Sequence, residues 1–109
     1  KIELVEQSKI LLLNRANYCL GIANLSIGTL TSCPLDTRMI FSIALKANAT
    51  AFVLAHNHPS GDYMPSEDDT KATKNIVKAG NLFGIAIMDH IILTSHGYFS
   101  FAENKILPK

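Results

Sequence analysis

The sequence contains no tryptophan and only two cysteines, Cys19 and Cys33. The cysteines lack CxxC spacing, so neither a disulfide framework nor a cysteine zinc site is indicated, and we expect both to be small buried apolar residues. Charged residues make up only 17% of the chain, and the formal net charge is +1. No strong overall field therefore attracts nucleic acid or anionic lipid, which argues weakly against a dedicated DNA-binding protein.

Long hydrophobic runs are also missing, because no stretch reaches the roughly 18 uncharged apolar residues that suggest a membrane-spanning helix. Lys46 interrupts one apolar stretch, and Asp89 with His90 interrupts another. No secretory signal pattern opens the chain, although a first residue of Lys1 leaves room for sequence upstream. We therefore expect a cytoplasmic protein without membrane association, with a single domain over residues 1–109.

Hydrophobic periodicity predicts five strands and two helices. The strands are predicted over residues 9–13, 18–25, 51–55, 85–93 and 98–101. Asp36 is suited to cap a helix that ends near Asn48. Ser66 is suited to open a second helix that ends at about Ala79, with Gly80 as its C-cap. This order predicts an α/β sandwich in which helices pack on a mixed sheet.

The segment from the third strand to the second helix carries the residues with the clearest chemistry. His56 and His58 have the spacing that places two side chains on one face of a strand, if the strand continues. The intervening loop returns the chain, so that Asp69 in the first helical turn can meet both histidines. Two histidines and one carboxylate with an open fourth position are the ligands of a catalytic zinc. The same set can hold Fe(II), which is the less favoured alternative.

Each of these residues also has an ordinary structural explanation. Ser66 and Asp69 match a capping box, and a single histidine is more often hydrogen-bonded or exposed than metal-bound. It is their joint occurrence that favours a metal site. Glu67 and Asp68 are neighbouring carboxylates that could in principle replace Asp69, but they point elsewhere around the helix. For His90 we expect a core position or a contact with a metal ligand.

The motif His56-x-His58, followed after seven residues by Ser66-x-x-Asp69, resembles the metal signature of JAMM (MPN-plus) metalloproteases. Further segments resemble the RadC family within that group, namely His56-Asn57-His58-Pro59-Ser60-Gly61, Pro65-Ser66, Asp89-His90-Ile91-Ile92 and Tyr98-Phe99-Ser100-Phe101. The resemblance covers essentially the whole chain. It implies a JAMM/MPN-like (cytidine-deaminase-like) sandwich, and a Zn2+-dependent hydrolase that attacks a peptide or isopeptide substrate.

The resemblance also implies two catalytic residues. Glu6 matches the glutamate that acts as general acid and base before an early strand, and Glu3 is the competing candidate. Ser66 matches a serine whose hydroxyl hydrogen-bonds the oxyanion formed as water attacks, so we expect capping and catalysis to compete for that hydroxyl.

Two other functions remain as alternatives. RadC-like proteins carry a label of DNA repair, which would make the chain an accessory module near nucleic acid. Only one basic helix face supports this, and a solvated surface explains it more simply; the face consists of Lys71, Lys74 and Lys78. The second alternative is a metal-binding interaction domain without catalysis.

Overall fold

In the computed structural model, which describes residues 6–28 and 35–108, the chain forms an α/β fold. Within those ranges the elements are β1 (Glu6–Leu13), β2 (Cys19–Gly28), α1 (Thr37–Lys46), β3 (Ala51–Asn57), α2 (Glu67–Phe83), β4 (Ala86–Thr94) and β5 (Gly97–Ser100). The predicted element order is confirmed, and so is the fold class of a mixed sheet with helices packed on it.

The five strands form one sheet in the order β2-β1-β3-β4-β5. The pairs β1–β2, β1–β3 and β4–β5 are antiparallel, whereas β3 and β4 are parallel. Parallel neighbours need a crossover connection, which α2 supplies here. The C-terminal end of β3 therefore leads directly into the loop before α2, a common position for binding sites in sheets with parallel strands.

One hydrophobic core joins both helices to the sheet. Ile10 of β1, Phe52 and Leu54 of β3, Ile40 of α1 and Ile76 of α2 are all fully buried in it. Phe52 and Leu54 are two residues apart, so they lie on the same face of β3. The next residue on that face is His56, which is only 2% exposed. The first candidate ligand therefore extends from the edge of the core.

The structure corrects two of the expectations from sequence. The second helix does not end at Gly80 but continues to Phe83, and its C-cap is Gly84 with a left-handed φ of 72°. Gly80 is instead a buried helical residue against the backbone of Ile85. Cys19 is exposed rather than buried, because it begins the edge strand β2, and Cys33 lies outside the described residues.

Neither described helix has the combined length and hydropathy required to cross a lipid bilayer.

Candidate metal centre

The two histidines of the motif are both held by the sheet, although only one lies within β3. His56 is paired with Ser8 of β1 and Ile92 of β4. His58 follows the end of β3, but its N–H donates to the carbonyl of Leu93 at 3.0 Å, so the pairing with β4 continues for one residue. The two side chains share one face as the strand spacing predicts, and their Nε2 atoms are 3.1 Å apart.

Asp69 reaches these histidines from the first turn of α2. The Ser66 Oγ accepts from the Asp69 N–H at 3.0 Å, and the Asp69 Oδ2 accepts from the Ser66 N–H at 2.8 Å, which completes a capping box. The same carboxylate lies 3.2 Å from His56 Nε2 through Oδ1 and 3.0 Å from His58 Nε2 through Oδ2. Two oxygens offer about four lone pairs, so capping does not prevent contact with a metal.

The spacing of these atoms fits a metal ion. Ligand atoms about 2.0–2.1 Å from a tetrahedral zinc lie roughly 3.3 Å from one another, close to the 3.1 Å between the two Nε2 atoms. Asp69 contacts the two histidines through different oxygens, and one ligand atom from each of the three residues lies within 4.8 Å of the others. The tautomer of His58 is also the one that metal ligation requires. Its Nδ1 lies 2.8 Å from the carbonyl oxygen of Asp62, which can only accept a hydrogen bond. Nδ1 therefore carries the proton, and Nε2 offers a lone pair. His56, His58 and Asp69 could thus hold a metal ion.

The charge state of Asp69 suits this arrangement. Burial acts to raise the pKa of its carboxyl group, but hydrogen bonds from His56 and Ser66 outweigh burial and hold that pKa below its ordinary value. Asp69 is 2% exposed and ionised at neutral pH. Glu67 and Asp68 are exposed, so Asp69 alone of the three neighbouring carboxylates is buried at the histidines.

His90 lies behind His56 rather than at the cavity. Its Nε2 is 2.9 Å from His56 Nδ1, its Nδ1 is 2.6 Å from Thr73 Oγ1, and its ring stacks on Phe101 with centroids 4.6 Å apart. Burial lowers the pKa of His90 to about 3, so its ring is neutral. The expectation of a core position is confirmed, and His90 also contacts His56, a candidate metal ligand.

Glu6 is the first residue of β1 and lies near the same centre. The Gln7 N–H donates to Asn57 Oδ1 at 2.6 Å, which holds the start of β1 beside the end of β3. Oε1 of Glu6 is buried and has no hydrogen-bond partner among the residues that the structure describes. Burial raises the pKa of Glu6, and the nearby His56 and His58 partly oppose that shift. Glu3, the competing candidate, lies outside the described residues.

A cavity of about 390 Å³ opens beside these groups, and its lining includes Glu6, His58 and Ser66. The structure therefore brings both predicted catalytic residues to one cavity with a predicted ligand, while His56 and Asp69 lie buried next to it. Sequence reasoning missed Asn57 and Thr73. Asn57 lies between the two motif histidines, and Thr73 lies one helical turn after Asp69, so both had a positional signal.

Comparison with known proteins agrees with this arrangement. A family model described as RadC-like JAB domain matches residues 1–106. A UPF0758 protein of Alkaliphilus oremlandii is 43% identical over 98 residues, which are 90% of this chain and 42% of that protein. The UPF0758 protein STH371 of Symbiobacterium thermophilum is 41% identical over 103 residues, covering 94% and 44% respectively. The chain thus spans less than half the length of these curated relatives. It belongs to the family of RadC-like JAB domains.

Proposed function

We propose that the chain is a zinc-dependent metallohydrolase that cleaves a peptide or isopeptide bond. The observation that carries the proposal is the convergence of His56, His58 and Asp69 beside a cavity lined in part by Glu6, whose buried Oε1 has no hydrogen-bond partner among the described residues. His56, His58 and Asp69 would hold the ion. Zinc, when bound, supplies Lewis-acid polarisation of the scissile carbonyl and of the attacking water.

Glu6 is proposed to move the proton. Within the described part of the chain its Oε1 has no hydrogen-bond partner to displace, which suits a group that accepts a proton from water in the cavity. Its raised pKa brings the carboxyl group closer to neutral pH, which suits a group that first takes a proton and then donates it to the leaving amine. Asn57 supports this role because it fixes the backbone of Gln7, the next residue along β1.

Ser66 is proposed to stabilise the oxyanion. Its oxygen accepts from the Asp69 N–H, while its own hydroxyl proton has no acceptor in that bond and can be donated to substrate. Capping and catalysis therefore use different parts of one hydroxyl and need not compete. The N-terminus of α2 adds a favourable dipole for negative charge at the same place.

The remaining alternatives receive less support from the described residues. Fe(II) accepts the same ligand set, and zinc is preferred because the wider resemblance is to zinc hydrolases. The face formed by Lys71, Lys74 and Lys78 is exposed on α2, as a solvated surface would be. Binding of nucleic acid by this face stays a weaker proposal, and so does a metal-binding domain without catalysis.

Metal content tests the first half of the proposal. Protein purified without chelator should contain about one zinc per chain. His56→Ala, His58→Ala and Asp69→Ala should each weaken zinc binding strongly, measured by competition with a chromophoric chelator. Asp68→Ala is the matched control, because Asp68 is the exposed neighbour of Asp69, and it should bind zinc as the parent does. Zinc binding unchanged by Asp69→Ala would limit Asp69 to helix capping.

Glu6→Gln tests the second half. The amide keeps the shape of the side chain but cannot take a proton, and one positioned acid or base typically contributes about 10²- to 10⁴-fold in rate. Zinc content should survive while hydrolysis of peptide and isopeptide-linked fluorogenic substrates falls by that factor. Glu3→Gln is the control. Normal turnover by the Glu6 variant with loss in the Glu3 variant would transfer the role to Glu3, and normal turnover by both would remove it.

A further inference from the structure

A line of buried hydrogen bonds leads from the candidate metal ligands into the core between β3, α2 and β4. His56 Nδ1 is 2.9 Å from His90 Nε2, and His90 Nδ1 is 2.6 Å from Thr73 Oγ1. Thr73 Oγ1 is in turn 2.8 Å from the backbone oxygen of Asp69. All three side chains are nearly or fully excluded from solvent. They depend on one another for partners, so each contact needs one proton between its two atoms.

The backbone end of this line fixes the direction of its donors. The carbonyl of Asp69 can only accept, so the hydroxyl proton of Thr73 lies on that contact. The Thr73 oxygen then accepts, and the proton between it and His90 belongs to Nδ1. A neutral imidazole has a single N–H, which leaves a lone pair on His90 Nε2. That lone pair accepts from the Nδ1–H of His56, so a neutral His56 would offer the lone pair of its Nε2 to a metal ion held with His58 and Asp69.

The opposite direction conflicts with the geometry. If the Thr73 hydroxyl donated to His90, two oxygen atoms would lie 2.8 Å apart without a proton between them. The reversed line would also place a proton on His56 Nε2, where a metal ligand needs a lone pair. Only one direction therefore satisfies every contact of this line, from the Asp69 carbonyl to His56 Nδ1, and leaves the lone pair of His56 Nε2 for a metal ion.

We propose that Thr73 and His90 are positioning residues that hold His56 in the tautomer required for metal ligation. The inference rests on the metal site of the proposed function. A ligating histidine commonly donates its other ring N–H to an acceptor, and loss of that acceptor typically costs about 10- to 100-fold in metal affinity. Here the acceptor is a second imidazole, whose own tautomer is set by a hydroxyl. His58 reaches the same tautomer separately, by donating to the carbonyl of Asp62.

Asp69 links both ends of this arrangement. Its carboxylate lies beside the two histidines, while its backbone oxygen receives the Thr73 hydroxyl one helical turn later. The start of α2 therefore presents the ligand and also fixes the proton on His56. Any shift of this helical turn would disturb both.

Substitutions at Thr73 test the positioning role through zinc affinity, measured by chelator competition. Thr73→Val keeps the shape but removes the hydroxyl, and zinc should bind about 10- to 100-fold more weakly. Thr73→Ser restores the hydroxyl and should bind within about threefold of the parent. Ile76→Val, a buried change on the same helix, controls for general destabilisation. Equal zinc affinities for Thr73→Val and Ile76→Val would overturn the inference.

The ring nitrogens of the unsubstituted protein provide a second measurement that needs no variant. In metal-free protein at neutral pH, long-range ¹H–¹⁵N spectra should show His90 protonated at Nδ1 and unprotonated at Nε2. A proton on Nε2 would overturn the proposed direction, whatever the hydrolase activity. Protein that binds no zinc at all would instead overturn the proposed function, and loss of hydrolysis with zinc retained would concern Glu6 alone.

Discussion

Asp69 contributes to the protein through three separate groups of atoms. Its N–H donates to Ser66, its carboxylate accepts from Ser66 and contacts two histidines, and its carbonyl accepts from Thr73. A residue with so many fixed contacts has little freedom to adopt another rotamer. The carboxylate is therefore held in place without a metal, which would reduce the ordering cost of binding one.

Ser66 tests how much of this arrangement is structural. Ser66→Ala removes the oxygen that accepts from the Asp69 N–H, and loss of such a cap should lower the free energy of unfolding by about 1 kcal/mol. The loss should appear in metal-free protein, measured by urea unfolding. Ser60→Ala is the control, because Ser60 accepts only a longer bond of 3.3 Å from the Asp62 N–H in the exposed loop. For Ser60→Ala the free energy of unfolding is expected to change by less than about 0.5 kcal/mol. Equal losses of stability in the two variants would show that the loss in Ser66→Ala does not come from the cap.

At the scale of elements, Gly80 determines how closely α2 approaches β4. A Cβ at this position would overlap the backbone oxygen of Ile85 and lie 2.8 Å from Ile87 Cδ1. Alanine is a better helix former than glycine by about 1 kcal/mol, but the obstacle is backbone and cannot rotate away. We therefore expect Gly80→Ala to destabilise the protein by about 1–3 kcal/mol in urea unfolding.

Gly84→Asn is the matched control for that prediction. Gly84 has a left-handed φ of 72° and no heavy atom within 4 Å of a built Cβ, and asparagine tolerates this conformation at a helix C-cap. The change should cost much less than Gly80→Ala. A stabilised Gly80→Ala variant would show that α2 can move away from β4 without penalty.

Elements whose signal is local were predictable from sequence. The strand around Phe52 and the Ser66 cap both depend on neighbouring residues, and each is confirmed. The predicted end of α2 was wrong because glycine is common just after helices. Only the contact between Gly80 and the backbone of Ile85 shows why this glycine lies inside α2. The sequence did not predict the contact between Thr73 and His90, because their hydrogen bond depends on the packing of α2 against β4.

At the scale of the whole molecule, the site and the fold are formed by the same long-range pairing. His56 and His90 are 34 positions apart and meet because β3 and β4 run parallel, in a register that pairs Leu54 with His90. Glu6 joins them because β1 pairs with the other edge of β3, where Ser8 is opposite His56. The motif spacing predicted the cluster of His56, His58 and Asp69, but the relation of β1 and β4 to that cluster required the sheet. The catalytic roles of Glu6 and Ser66 stay predictions.

Buried His90 also predicts how the stability of metal-free protein depends on pH. Burial, and then the charge of His56, hold the pKa of His90 at about 3, with Asp69 opposing them and His58 adding to them. An unfolded chain has a histidine pKa of about 6.5, so it binds a proton that the folded protein excludes. This contribution is fully present above about pH 6.5 and is lost as pH falls toward 3. Asp69, whose pKa is also lowered, adds a further loss below about pH 4.

The expected result is a fall in the free energy of unfolding by up to about 1.4 kcal/mol per pH unit between roughly pH 6 and 4. Urea unfolding with EDTA present measures it, because EDTA removes any bound metal ion, whose affinity would itself depend on pH. His90→Gln has no titrating ring at this position and should show a shallower slope over the same range. His96→Gln, in the exposed turn between β4 and β5, should keep the slope of the parent. Parallel slopes for the parent and His90→Gln would mean that the buried ring is not excluded from protonation.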